Sequence, residues 1–216
     1  MQQTQALTAV AALDEPTRRR LYEYVVRRPE PVSRDDVAAA LGVPRATVAF
    51  HLDRLVEEQL LVVGHERRTG RSGPGAGRPA KLYRRSDRQV SVSLPERQYE
   101  LAGRLLAASV EEADATGGSA REILARRARE QGAELATVGQ DIVSTLEENG
   151  FEPRHGDGEV SLANCPFHRL AQAHPRLMCE MNLGLVEGML AGVGEPGWRA
   201  RLDPRPGSCC VRLAAD

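Results

Sequence analysis

Val43-Pro-Arg-Ala-Thr-Val-Ala-Phe-His-Leu-Asp-Arg-Leu-Val-Glu-Glu-Gln-Leu-Leu61 decides the fold of the N-terminal part of the chain. Pro44 suits the first turn of a helix, where its missing N–H costs nothing. Val48, Leu52, Leu55 and Val56 then draw one apolar stripe along that helix. The other face carries Arg45, Thr47, Phe50, His51 and Arg54, side chains able to reach phosphates and base edges. They gather toward the helix N-terminus, where a recognition helix meets the major groove. Taken alone, this helix reads equally well as an ordinary amphipathic surface helix. Its neighbours decide.

Upstream, Ser33 to Leu41 predicts a short helix with Ser33 as N-cap and Asp36 at the capping-box position, where Glu or Gln is usual. Gly42 follows as a residue able to take φ > 0, so two helices are joined by a tight turn. Downstream, residues 60–63 and 80–84 predict two short strands around a Gly- and Pro-rich stretch. That stretch bears Arg67, Arg68, Arg71 and Arg78, and Lys81, Arg84 and Arg85 follow it. A basic hairpin after a recognition helix is a wing. The Ala46-Thr-Val-x-x-His-Leu-Asp-Arg-Leu-Val56 run and the Gly77-Arg-Pro-Ala-Lys-Leu-Tyr83 wing resemble ArsR/DeoR-type bacterial winged-helix regulators over roughly residues 14–88. The resemblance implies double-stranded DNA as partner.

The charge distribution agrees. Residues 1–91 hold 16 Lys+Arg against 11 Asp+Glu, net +5, whereas residues 92–216 hold 13 against 19, net −6. A basic N-terminal part suits a polyanion, and an acidic remainder stays off it. No apolar run approaches the ~20 residues that span a bilayer, and no basic segment leads into an apolar stretch at the N-terminus. The expectation is a cytoplasmic protein with 41% hydrophobic but only 4% aromatic residues, hence a core of Leu, Val and Ala in an α+β, mostly helical fold.

In chain order, residues 1–13 predict one or two helical turns, and residues 14–28 a helix burying Leu21, Val25 and Tyr24. The winged helix-turn-helix domain is placed at 1–90. Pro95 is expected to open a helix reaching Thr116-Gly-Gly-Ser119, and a second helix to run from 119 to 148. Leu135, Val138, Ile142 and Leu146 are spaced three, four and four, a seam suited to another helix. Residues 91–149 are therefore read as a helical linker and dimerisation region of a homodimer, since helix-turn-helix proteins commonly read two half-sites. Residues 150–216 are read as a small α+β domain: short strands near 151–154 and 159–163, a helix from His174 to about Gly192, and final strands at 199–202 and 209–213.

All four cysteines, Cys165, Cys179, Cys209 and Cys210, lie in that last part. In a chain without secretion signals this argues for metal or redox work over structural disulfides. No C-x₂-C pair is present, so no zinc-finger pattern exists. Strand alternation would put Cys209 on the face a covering helix buries, with Val211 and Leu213, and Cys210 on the opposite face with Arg212. Cys165, Cys179 and Cys209 are then the expected metal ligands, because iron–sulfur clusters accept widely spaced thiolates. Small buried cysteines that merely pack are the plain alternative.

The motifs Asn164-Cys-Pro-Phe-His168, His174-Pro-x-Leu-Met-Cys179 and Pro206-Gly-Ser-Cys-Cys-Val-Arg-Leu213, with Gly188 between them, resemble the C-terminal domain of SufR-type regulators. Those are winged-helix repressors that bind an iron–sulfur cluster and control cluster-assembly genes. The resemblance implies a four-iron four-sulfur cluster, a redox-sensing repressor and no catalytic residues. Better-known members have four spaced cysteines, whereas no cysteine lies here between Cys179 and Cys209. The fourth ligand stays open among Cys210, His168 and His174. A cysteine-nucleophile enzyme is disfavoured: only Cys165 has a nearby His, and no phosphate-binding Gly loop follows a strand. A thiol switch or a zinc or metalloid sensor without a cluster is the other regulator reading.

Overall fold

The computed structural model describes residues 2–66, 80–156 and 158–215. The chain divides into two compact units, residues 1–92 and 93–216.

In the first unit, α1 (Gln2–Ala12) precedes α2 (Pro16–Val26), β1 (Val32–Ser33), α3 (Arg34–Leu41), α4 (Arg45–Glu57), β2 (Leu61–Glu66) and β3 (Ala80–Arg85). Glu15 starts α2 by accepting from the backbone N–H groups of Thr17 and Arg18, ahead of Pro16 at the first helical position. Ser33 and Asp36 form the reciprocal capping box at α3, so Asp serves where Glu or Gln is usual. Gly42 ends α3 at φ 65°, the left-handed turn that aims α4 away. Val48, Leu52 and Leu55 of α4 are fully buried with Leu21, Val25, Val37, Leu61 and Tyr83. The sheet order is β1-β3-β2, antiparallel throughout, with Val63 opposite Tyr83 in the hairpin. Strand β1 was not foreseen, because two residues carry no periodicity. The first helix is longer than expected, its Ala9 packed into the core. Tyr24 is only half-buried, with the Arg28 guanidinium 4.4 Å from its ring centroid.

The second unit comprises α5 (Tyr99–Thr116), α6 (Ala120–Leu135), α7 (Ile142–Glu148), β4 (Pro153–Gly156), β5 (Glu159–Leu162), α8 (His168–Ala173), α9 (Pro175–Val193), β6 (Trp198–Leu202) and β7 (Val211–Ala215). Its sheet runs β4-β5-β7-β6, each pair antiparallel. One core holds the whole unit, joining Leu101 and Leu105 of α5, Leu124 of α6, Ile142 and Leu146 of α7, Met178 to Met189 of α9, and Val160, Val211 and Leu213 of the sheet. The region expected to be a separate linker is thus packed with the C-terminal strands.

Helices α6 and α9 approach each other closely because glycine lines their contact. A Cβ added at Gly188 would run into the carbonyl of Arg129, and one at Gly132 into that of Leu185. Gly184 and Gly192 repeat the pattern against Ala125 and Ala133. Gly192, expected to end α9, is therefore a packing residue inside it. Gly194, at φ 70°, is the terminator.

Three expectations are corrected. The helix predicted over 119–148 is interrupted: Ala136 is extended, Gly139 has φ 85°, and Asp141 caps a new helix by accepting from Ser144 N at 2.9 Å. The supposed dimer seam dissolves with it, since Val138 is 87% exposed in the break while Ile142 and Leu146 are buried in the unit's own core. A 3.5-residue spacing is shared by seams and by chance across a loop, and sequence alone does not separate them. Pro95 does not open a helix; the Leu94–Pro95 peptide is cis and α5 starts at Tyr99.

Candidate DNA-binding surface and cysteine centre

Helix α4 begins just after Pro44, which gives it no side-chain cap hydrogen bond. Arg45 is exposed and its Nε lies 2.5 Å from Asp35 Oδ1, tying α4 to α3. Thr47 is half-buried, and Phe50 stands out from the helix at 67% exposure. Arg54 is exposed but engaged with Glu57 at 3.0 Å and Glu58 at 2.5 Å. On β3, Arg84 is exposed, and Lys81 Nζ reaches Asp53 Oδ1 at 3.0 Å. Tyr83 Oη donates to the same Asp53 oxygen at 3.0 Å. Burial pushes the Asp53 carboxyl up, but the hydrogen bonds from Lys81 and Tyr83 outweigh it and hold the group below its ordinary 3.8. Asp53 therefore staples the wing strand to the recognition helix. Burial, with the bond to Asp53, holds the Tyr83 phenol well above its usual range.

His51 departs from the expected set. It is buried, with Nε2 3.6 Å from Glu15 Oε2 and Nδ1 lacking a hydrogen-bond partner, so it faces the start of α2 and not the open helix face. It lies one residue beside the apolar stripe, between Phe50 and Leu52, which is why spacing alone assigned it outward. Arg67, Arg68, Arg71 and Arg78 lie outside the described residues.

In the second unit the four cysteines come together from three places in the chain. Cys165 sits in the loop after β5, Cys179 on the first turns of α9, and Cys209 and Cys210 in the turn that leads into β7. Cys165 neighbours Cys209, and Cys210 neighbours both Cys209 and Cys179, so the four thiols gather in one place. The adjacent Cys209 thiol, and then burial, drive Cys165 far above the ordinary thiol range. The adjacent Cys165 lowers Cys209, but Cys210 on its other side and burial carry it up to about 12. Burial likewise raises Cys179, against the adjacent Cys210. Raised thiol pKa values at Cys165, Cys179 and Cys209 mean that a metal would have to displace their protons.

Cys210 is placed otherwise than strand alternation predicts. The chain bends at Cys210 and β7 begins only at Val211, so the alternation argument does not reach it. Arg212, taken to mark a solvent face, is itself buried against Glu159 at 3.0 Å and Asp203 at 3.5 Å. His168 and His174 are both exposed, at the first residue of α8 and at the α8–α9 junction.

Three polar residues that sequence reasoning did not single out surround the centre. Asn164 Nδ2 donates to Gly150 O at 2.6 Å and Glu96 O at 3.1 Å, while its Oδ1 accepts from Arg97. The same Arg97 donates to Cys165 O at 3.0 Å, fixing the cysteine loop. Asn182, on α9 three residues after Cys179, is 1% exposed, and its Nδ2 donates to Cys209 Sγ at 3.1 Å. The available signal was a lone amide on the helix face shared with Met178, Met181, Leu185 and Met189.

The donor set is thiol only, which suits soft, thiophilic centres: an iron–sulfur cluster or tetrahedral zinc. Among the described residues, no group of three or more His, Cys, Asp and Glu side chains is already arranged to hold a metal ion. Nor is any helix among them long and apolar enough to cross a membrane.

Neither the curated proteins nor the solved structures provide a match to the chain. Residues 13–64 match the family described as "Helix-turn-helix domain". That span takes in α2 through α4 and most of β2, so the first unit carries a helix-turn-helix domain of winged type, the DNA-binding module of a transcription regulator.

Proposed function

We propose that this chain is a homodimeric transcriptional repressor whose DNA affinity is set by an iron–sulfur cluster, of the four-iron four-sulfur type, bound in the second unit. The observation that carries the reading is the gathering of Cys165, Cys179, Cys209 and Cys210 from three segments of the second unit, in a protein that also bears a helix-turn-helix domain. When bound, the cluster supplies an oxidant-labile, redox-active group. The four cysteines would hold it, with Cys210 in place of His168 or His174 as the fourth ligand, because Cys210 lies beside Cys209 and Cys179 whereas both histidines are exposed. Arg97 and Asn164 fix the loop of Cys165, and Asn182 meets Cys209. The resemblance to SufR-type regulators supports cluster-assembly genes as the regulated set. Dimerisation rests on the habit of helix-turn-helix proteins to read paired half-sites, through a surface other than Leu135, Val138, Ile142 and Leu146.

Metal-free and anaerobically reconstituted protein, each used to select duplexes from a random pool, test the reading. Two half-sites separated by a whole helical turn, and affinities that differ between the two forms, are expected. Equal affinity of both forms for the selected duplex would remove the cluster from regulation.

A further inference from the structure

We propose that Asn182 is a positioning residue of the cysteine centre, whose amide N–H bonds the Cys209 sulfur and sets the reduction potential of the group held there. The inference rests on reading the centre as an iron–sulfur site.

Asn182 is buried among apolar side chains, with Met178, Met181 and Leu185 beside it on α9. A leucine would satisfy such a site better than an amide, since a buried polar group without a partner is costly. Its Oδ1 is buried and has no hydrogen-bond partner among the described residues, where the amide's hydrogen bond goes to Cys209. Helix α9 thus presents one expected ligand, Cys179, and the donor to another, Cys209, from adjacent turns.

The helix holding Asn182 is fixed in place. Gly184 and Gly188 seat α9 on the backbone of α6, and Arg121–Glu180 at 2.7 Å and Arg129–Glu187 tie the two helices. The N–H is therefore pre-aimed, as outer-shell donors to metal ligands are. One-electron reduction adds negative charge that is shared with the ligating sulfurs. An N–H aimed at such a sulfur stabilises the more negative state, so it raises the potential.

The test compares full-length wild type with Asn182→Leu after anaerobic reconstitution, by iron and sulfide counts and by a redox titration followed by electron paramagnetic resonance. Wild-type iron and sulfide content with a midpoint lowered by about 59 mV is expected, a tenfold fall in reduced over oxidised cluster at a given potential. An unchanged midpoint at full cluster content overturns the assignment. A second measurement needs no variant. Wild type labelled with amide-¹⁵N asparagine should show nitrogen coupling to the reduced cluster by double resonance, and Asn182→Gln should weaken it. Absence of that coupling overturns the proposal even if Asn182→Leu does not fold. Failure of wild type to take up iron and sulfide overturns the cluster reading and this proposal together, and is seen before any variant is made.

Discussion

Arg97 reaches across the second unit to the backbone carbonyl of Cys165 at 3.0 Å, and the same guanidinium nitrogen bonds Asn164 Oδ1. One arginine before α5 thereby holds the loop that delivers the buried Cys165 thiol. Arg97→Ala leaves the buried Asn164 oxygen unpaired, a loss of about 1–3 kcal/mol. Chemical denaturation should show that loss, and reconstitution should give a lower iron content than wild type. Unchanged stability would mean that the loop is held by packing alone.

The glycine contacts of α6 and α9 make a paired prediction. Gly188→Ala forces a methyl group into the Arg129 carbonyl and should cost at least ~1–3 kcal/mol by overpacking. Gly103 lies in α5 with open space where a Cβ would stand, so Gly103→Ala should stabilise by about 0.5–1 kcal/mol. Thermal unfolding of both variants checks the contrast. A harmless Gly188→Ala would mean that the helices do not pack backbone to backbone.

On DNA, the first unit should divide by chemistry. Arg84→Ala should weaken binding to all duplexes alike and reduce the salt slope by about one unit. Phe50→Ala and Thr47→Val should shift preference among sequences, by about 1–3 kcal/mol per lost base contact. His51→Ala should lower stability instead, because His51 packs under the helix against Glu15. Salt-dependent titrations against the selected and scrambled duplexes separate these outcomes. A change of sequence preference in His51→Ala would return that residue to the groove.

Much of this was legible beforehand. Val48, Leu52 and Leu55 gave α4 its buried face, Ser33 and Gly42 bounded α3, and the wing strands fell where residues 60–63 and 80–84 placed them. What escaped depended on tertiary surroundings. Ile142 and Leu146 are apolar for an internal core, and no spacing rule distinguishes that from an interface. Cys210 turned with a bend that only the finished chain shows, and Asn182 looked like a stray amide on the apolar face of α9 until Cys209 came up against it.

The Asp53 staple carries a pH signature. Its carboxyl is held below the ordinary 3.8 in the folded chain, so its contribution is complete above that value and is lost as pH falls through the lower, folded pKa. The pair is half-exposed, which limits the effect to about 0.5–1 kcal/mol at pH 7. Asp53→Asn should be less stable than wild type by that amount at neutral pH, and the two should converge below about pH 4. Parallel unfolding curves across pH would contradict the staple.

Iron and acid-labile sulfide counts on anaerobically purified wild type and the four single Cys→Ser proteins test the central claim most directly. The account predicts iron and sulfide in equal amounts in wild type, with visible thiolate-to-iron absorption. It predicts their loss in Cys165→Ser, Cys179→Ser and Cys209→Ser, and in Cys210→Ser as well, since Cys210 lies beside both Cys209 and Cys179. Zinc without sulfide, or a metal-free wild type, would contradict it.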